Sequence, residues 1–393
     1  MKRNYFVFPN SSYRASAVVL RFGLIPAFLL LFSCLSVWAA GPAHPCTPRF
    51  PLQTGIYNGW QGADAAYSIP QPNGSDVWIF GDTLYGRHRV VHGTAPVMVH
   101  NSIGISTCGP NGQWHLRYYI RKDSHGQPLS FFNPQDSNTW YWAMDGFRSG
   151  HDLWITLLCV RAAGKASALG FATCGSDLAR IHSPGPDPLK WKVTYFPLVP
   201  DGVHAYPSAT TVVDGKYVDL FALDETGSRP LIVARIPLQG LSHPRANLEY
   251  LASDRVWRKG FDPAHAKAVI SPGISELSIR YHPKLKKWLA VMFEPEGFSS
   301  HILLRTASSP TGPWSRGHVI YSVPEMNPAN AHYDKDTFCY AGKEHPEFEH
   351  GDLVFTYVFN TLAVPKLATN TSIYFPRAIR MPMPAFVKES QRK

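Results

Sequence analysis

Five acidic side chains carry the chemistry this sequence could perform: Asp64, Asp82, Asp145, Glu276 and Glu344. They stand in Gly62-Ala63-Asp64-Ala65-Ala66-Tyr67-Ser68, Phe80-Gly81-Asp82-Thr83, Met144-Asp145-Gly146-Phe147, Ser275-Glu276-Leu277-Ser278 and Lys343-Glu344-His345-Pro346-Glu347. Two carboxyl groups flanking a glycosidic bond suffice for its hydrolysis: one protonates the leaving oxygen, and the other attacks or activates water. Gathered in a partly desolvated site, such groups cannot all ionise, so one of them stays an acid near neutral pH. Any single one could equally cap a turn. The argument therefore depends on convergence. A nucleophile elbow (GxSxG) and a phosphate loop (GxxxxGK[ST]) are both absent. His204, His265, His282 and His332 show no metal-ligand spacing and no cysteine pair reads CxxC, so the sequence predicts neither metal nor cofactor.

What could make these acids converge is a repeat. Five times a turn precedes an apolar strand of β-forming residues: VWIFGDT from Val77, LWITLLC from Leu153, VDLFALD from Val218, WLAVMFE from Trp288 and LVFTYVF from Leu353. The turns read Pro72-Asn73-Gly74, Arg148-Ser149-Gly150, Asp214-Gly215-Lys216, Pro283-Lys284-Leu285 and Glu349-His350-Gly351. These residues supply the fixed or positive φ that tight hairpins need. Further alternating segments at 102–106, 192–196, 231–236 and 302–306 provide outer strands. The strand starts lie 65 to 76 residues apart. That period predicts an all-β fold, a single five-bladed β-propeller over residues 40–393. A long β-sandwich or two all-β domains is the alternative, and the lack of a Ser/Gly-rich linker between 50 and 385 weighs against it.

In a propeller the innermost strands line the axis, so their opening residues meet in one funnel. The sequence-based openings are the segments around Asp64, Asp145, Ala205, Glu276 and Glu344, with Asp82 facing Asp64 across the first hairpin. Trp60, Tyr67, Trp140, Trp142, Tyr206 and Phe261 fall near the funnel mouth, where rings could stack on sugars. Trp60 and Tyr206 are expected to be exposed, and Glu344 with His345 to touch substrate.

Residues 1–39 carry Lys2, Arg3, Arg14 and Arg21 with no acid, then an apolar run ending before Ala40, which reads as an export signal cleaved after Ala39. An uncleaved anchor, or a lipidated Cys34, would tie the chain to a membrane. The formal charge of +10 falls to +6 without this leader, and the basic residues are scattered, which argues against nucleic acid as a partner. A periplasmic, cell-surface or extracellular monomer is expected. Cys46, Cys108, Cys159, Cys174 and Cys339 then remain, an odd number that allows at most two bridges within the chain.

The run Gly59-Trp60-Gln61-Gly62-Ala63-Asp64-Ala65-Ala66-Tyr67-Ser68, with Trp78-Ile79-Phe80-Gly81-Asp82-Thr83 and Met144-Asp145-Gly146-Phe147, resembles the opening of a bacterial five-bladed propeller family long catalogued as a domain of unknown function. Some of its members are endo-D-arabinanases. The resemblance continues through Glu276-Leu277-Ser278-Ile279-Arg280-Tyr281 and Pro310-Thr311-Gly312-Pro313-Trp314-Ser315, across nearly the whole chain after the leader. Ala65 departs from it, standing where the motif carries glycine.

This likeness implies hydrolysis of arabinofuranosyl linkages in a furanose-containing polysaccharide, with Asp64 and Asp82 as the catalytic pair. Wider similarity to arabinanase- and sucrase-type propellers makes Glu276 a third catalytic candidate, able to replace Asp82 as the acid. Tyr67, Asp145 and Tyr206 join Trp60, Glu344 and His345 as expected substrate contacts. A non-catalytic glycan-binding or scaffold propeller is the rival reading, since one fold hosts many functions.

Overall fold

The computed structural model describes residues 45–50, 59–86, 97–167, 170–330, 333–370 and 372–389. The expected leader, its cleavage point and Cys34 lie outside them. Among the described residues no helix is long and apolar enough to cross a membrane.

Each predicted hairpin forms the inner half of one blade. The innermost strands are Trp60–Pro70, Thr139–Ser149, Thr210–Asp214, Leu277–His282 and Thr337–Glu344, paired antiparallel with Ser75–Tyr85, Asp152–Ala162, Tyr217–Leu223, Lys287–Phe293 and Asp352–Thr361. Outer strands complete five sheets, three-stranded in blade 5 and four- or five-stranded elsewhere. Each innermost strand touches that of the next blade, and blade 5 touches blade 1, so the ring closes. The hairpin turns use the left-handed residues their spacing foretold: Gly74 at φ +78° in blade 1 and Gly215 at +59° in blade 3. Blade 4 puts Lys286 at +51° in the same role.

The second strands are apolar throughout because both of their faces are covered by neighbouring blades. Five hydrophobic clusters result, one for each interface between blades. The one between blades 5 and 1 packs Trp78, Phe80, Trp114 and Phe50 against Phe348, Val354 and Phe375. The stretch before the first strand fastens that seam. Arg380 of blade 5 donates to the Cys46 carbonyl at 2.8 Å and to Thr47 Oγ1 at 2.8 Å, while Cys46 is disulfide-bonded to Cys108 of blade 1. A second disulfide, Cys159–Cys174, joins neighbouring strands of blade 2, and Cys339 is the buried free thiol, matching the expected two bridges and one cysteine over.

Three innermost strands start elsewhere than expected: blade 2 already at Thr139, with Asp145 in mid-strand, blade 3 only at Thr210, after Ala205 and Tyr206, and blade 5 most of all. Blade 5 was placed with Lys343-Glu344-His345 at its opening, yet the strand starts at Thr337 and ends at Glu344. A bulge between Tyr340 and Lys343, with Ala341 at φ +55°, breaks the alternation that would have revealed its true start. Glu344 and His345 therefore sit at the end of the axis opposite the strand openings.

Candidate active site

Asp64 is delivered by an irregularity. The pairing of the first hairpin slips on both sides of Ala65, and Ala65 and Ala66 take φ of +66° and +70°. A Cβ in this region costs about 1–2 kcal/mol per residue, which explains why the motif carries glycine at position 65. Bulges re-aim side chains, and blades 2 and 5 have their own, beside Asp145 and after Tyr340. Asp64 Oδ2 accepts from the Tyr340 hydroxyl at 2.9 Å and, more loosely, from that of Tyr374 at 3.4 Å. Tyr374 also donates to the Asp82 carbonyl at 2.9 Å. Gly81 leaves the room the Asp64 carboxyl occupies, since a Cβ there would lie 2.2 Å from Asp64 Oδ1.

Asp82 follows on the paired strand and is half-buried. Its Oδ1 accepts from the indole Nε1 of Trp142 at 3.1 Å and meets His100 Nδ1 at 3.0 Å, and Trp140 stacks on His100 at 4.7 Å. Glu276 stands one residue before the innermost strand of blade 4 and faces the same end of the axis. Asp64 feels the other two. Burial, then the charges of Asp82 and Glu276, push the Asp64 carboxyl well above its usual range, and the two phenols partly offset the rise. Burial also raises Glu276, against the pull of the Lys343 ammonium. Like charges crowded out of water keep at least one proton among them.

Lys343 is buried, donates to the Leu277 carbonyl at 2.7 Å and lies 3.7 Å above the Tyr67 ring. Burial lowers it to about 7. The Tyr67 hydroxyl is buried without a hydrogen-bond partner among the described residues, close enough to Glu276 that this charge helps keep it protonated.

Several expected contacts are not at the surface of this site. Asp145 has 0% exposure, and its oxygens are taken by Arg280 at 3.1 and 3.3 Å, Thr210 Oγ1 at 2.7 Å and the Thr211 amide at 2.8 Å. It is a buried clamp joining blades 2, 3 and 4, with no surface open to solvent. Trp60, expected exposed, is 3% exposed and stacked on Tyr118 at 4.1 Å in the seam between blades 5 and 1. Tyr206 is buried in the cluster between blades 2 and 3, its hydroxyl accepting from the Gly202 amide at 3.3 Å. The Tyr67 ring is covered by Lys343, so only its hydroxyl is directed toward the acids. Glu344 and His345 are buried at the far end: His345 bridges Ser68 Oγ at 2.6 Å and Thr356 Oγ1 at 2.8 Å, and Glu344 pairs with His282.

Conversely, Tyr340, Tyr374 and His100 contact the acids directly without having been singled out by the sequence, and Trp142, expected near the funnel mouth, bonds Asp82. Alternation of Phe338 and Tyr340 along one strand was a usable signal once that strand's start was known. Phe338 stacks on Tyr340 at 5.3 Å and meets exposed Phe298 at a tilt, 4.7 Å between centroids, so a row of rings leads outward from Asp64.

A family described as a domain of unknown function (DUF5005) matches residues 53–388. The chain belongs to this family. Comparison with curated proteins returns no match. Among solved structures, a Bacteroides ovatus protein provisionally described as a hydrolase aligns at 17% identity over 82% of this chain and 86% of its own, with a TM-score of 0.66. It confirms the five-bladed propeller of this DUF5005 member. A levansucrase from Bacillus subtilis (12% identity, 87% of this chain and 89% of that one, TM-score 0.46) is more distant. So is an exo-1,5-α-L-arabinanase from a bovine ruminal metagenomic library (11% identity, 84% and 96%, TM-score 0.45).

Proposed function

We propose that this protein is an exported glycoside hydrolase acting on furanose-containing polysaccharide, with arabinofuranosyl linkages as the first choice and an endo-D-arabinanase-like activity. The observation that carries this reading is the group of Asp64, Asp82 and Glu276 at one end of the axis, with the Asp64 and Glu276 carboxyls both driven upward. Glycosidic cleavage requires one carboxyl protonated and another ionised. The phenols of Tyr340 and Tyr374 stabilise the anion at Asp64, which makes it the nucleophile or base. Glu276 is assigned the proton for the leaving oxygen because the two titrations are linked: with Glu276 neutral, one of the two charges that raise Asp64 is gone and Asp64 ionises more readily. Asp82, read from the sequence as the acid, has Oδ1 engaged by the Trp142 indole N–H, a donor at every pH. It serves to raise Asp64 and to hold the wall formed by Trp142 and His100. Half-buried Trp142, Phe338 and exposed Phe298 offer flat faces for sugar rings. Export is supported by the basic, then apolar leader and by two disulfides, which persist in oxidising compartments.

The test is hydrolysis of a panel of arabinans, galactofuranans and aryl furanosides by the purified chain, by Asp64→Asn and by Glu276→Gln. Loss of the acid matters least when the leaving group needs no proton. Glu276→Gln should therefore lose polysaccharide cleavage but keep much of its activity on an aryl furanoside with an acidic leaving group, whereas Asp64→Asn should lose both. Binding of glycans by a protein that cleaves none of them would replace this reading with a glycan-binding propeller.

A further inference from the structure

A second cluster lies at the opposite end of the axis, between blades 4 and 5. His282 closes the innermost strand of blade 4, six residues after Glu276, which places it roughly 20 Å away at about 3.3 Å per strand residue. Glu344 closes the innermost strand of blade 5, and Glu349 follows the short turn Pro346–Phe348. His282 Nε2 lies 2.7 Å from Glu344 Oε1, and its Nδ1 lies 3.7 Å from Glu349 Oε2. One ligand atom from each of the three can be chosen so that all lie within 4.8 Å of one another.

The cluster crowds two carboxyl groups around a single imidazole. His282 and Glu344 are buried, and the Glu349 side chain is 9% exposed. Among the described residues neither glutamate forms an ion pair with lysine or arginine. An isolated buried carboxylate is strongly disfavoured, and here two share one imidazole. A separate observation points into the same gap: Glu344 Oε2 is buried and has no hydrogen-bond partner among the described residues. The rest of Glu344 is fixed, its amide donating to Ser278 Oγ at 2.8 Å and its Oε1 held by His282. An acceptor oxygen so placed, beside a second carboxyl group and an imidazole, is oriented to accept a cation.

We propose that His282, Glu344 and Glu349 bind a divalent transition-metal ion, zinc being the best match, which staples blade 4 to blade 5. One imidazole with two carboxylates suits zinc better than calcium or magnesium, which take oxygen-only sets. Zinc bonds of about 2.0–2.2 Å place tetrahedral ligands roughly 3.4 Å apart, so from a spread within 4.8 Å a contraction of at most about 1.4 Å suffices. Three protein ligands leave a fourth position for water. Sequence spacing does not reveal this set, because His282 and Glu344 are 62 residues apart and only blade packing unites them.

The experiment is metal analysis of the purified chain, followed by chelator treatment and titration with zinc chloride by calorimetry and thermal melting. One zinc per chain, a higher melting temperature on its return, and at least a tenfold weaker affinity in both Glu349→Gln and His282→Asn are expected, the scale seen on losing a metal-site partner. Glu349→Gln keeps the size of the side chain while removing one buried charge, so it is expected to fold. Zinc uptake unchanged in both variants, or no uptake by the folded parent, would overturn the proposal. The second outcome would leave a proton shared by Glu344 and Glu349 as the occupant of the gap.

Discussion

Gly81→Ala isolates the placement of one carboxyl group. Gly81 is not in the left-handed region, so its backbone accepts alanine without strain. The new Cβ would lie 2.2 Å from Asp64 Oδ1 and 3.7 Å from the Ala65 Cβ, so the collision is with the carboxyl alone. Ordinary contact requires more than 3 Å, and Asp64 must retreat by about 1 Å. A misplacement of that size costs on the order of 100-fold in rate, or about 2.7 kcal/mol of transition-state stabilisation. Stability should change by no more than about 1 kcal/mol, since the added methyl restricts the unfolded chain while the displaced side chain loses its phenol contacts. Steady-state kinetics on an aryl furanoside, with a thermal melt of each protein, reads both quantities. The expected result is a fall in kcat of roughly two orders of magnitude with KM nearly constant. A kcat within about threefold of the parent, in a protein with an unchanged melt, would refute the claim that Asp64 acts from its present position.

Tyr340→Phe removes the closer donor to Asp64, whose carboxyl should then rise further; the acid limb of the kcat/KM profile is expected to move to higher pH, and an unmoved limb would remove Tyr340 from the mechanism. Asp219 is buried on the second strand of blade 3 and raised to about 7 by burial and by Asp214. A carboxyl raised in the folded state leaves stability intact below its unfolded value near 4 and erodes it as pH climbs toward 7. Asp219→Asn should accordingly stabilise the protein by about 1–3 kcal/mol at pH 8 and by little at pH 4, as read by urea unfolding, and an equal effect at both pH values would contradict the assignment. Cys108→Ser opens the closure between the stretch before blade 1 and the third strand of that blade, a separation of 62 residues; a loss of about 2–4 kcal/mol is expected from melts with and without the substitution, and an unchanged melt would refute it.

The five hairpins were legible in the sequence because each second strand is covered on both faces and so is written as a largely apolar run that follows a turn. Five such runs at one spacing have few ways to bury themselves, and the ring follows. Asp64, Asp82 and Glu276 could be found for the same reason: each lies close to a strand whose position the repeat sets. Other choices depended on facts no linear pattern contains. Trp60 and Tyr206 look like sugar-stacking rings, but whether a ring meets solvent or the neighbouring blade depends on the angle between blades. Asp145 lies in the same kind of motif as Asp64, yet Arg280, arriving from 135 residues away, fills its oxygens and turns a candidate ligand into a clamp. The bulge at Tyr340 to Lys343 shifted the apparent opening of blade 5, which exchanged Glu344 for Tyr340 at the site. The sequence by itself determined the repeat, and with it which residues approach the axis. Only the tertiary structure decided which of them meet there, because bulges and blade packing set the direction of a side chain and the partners that claim it.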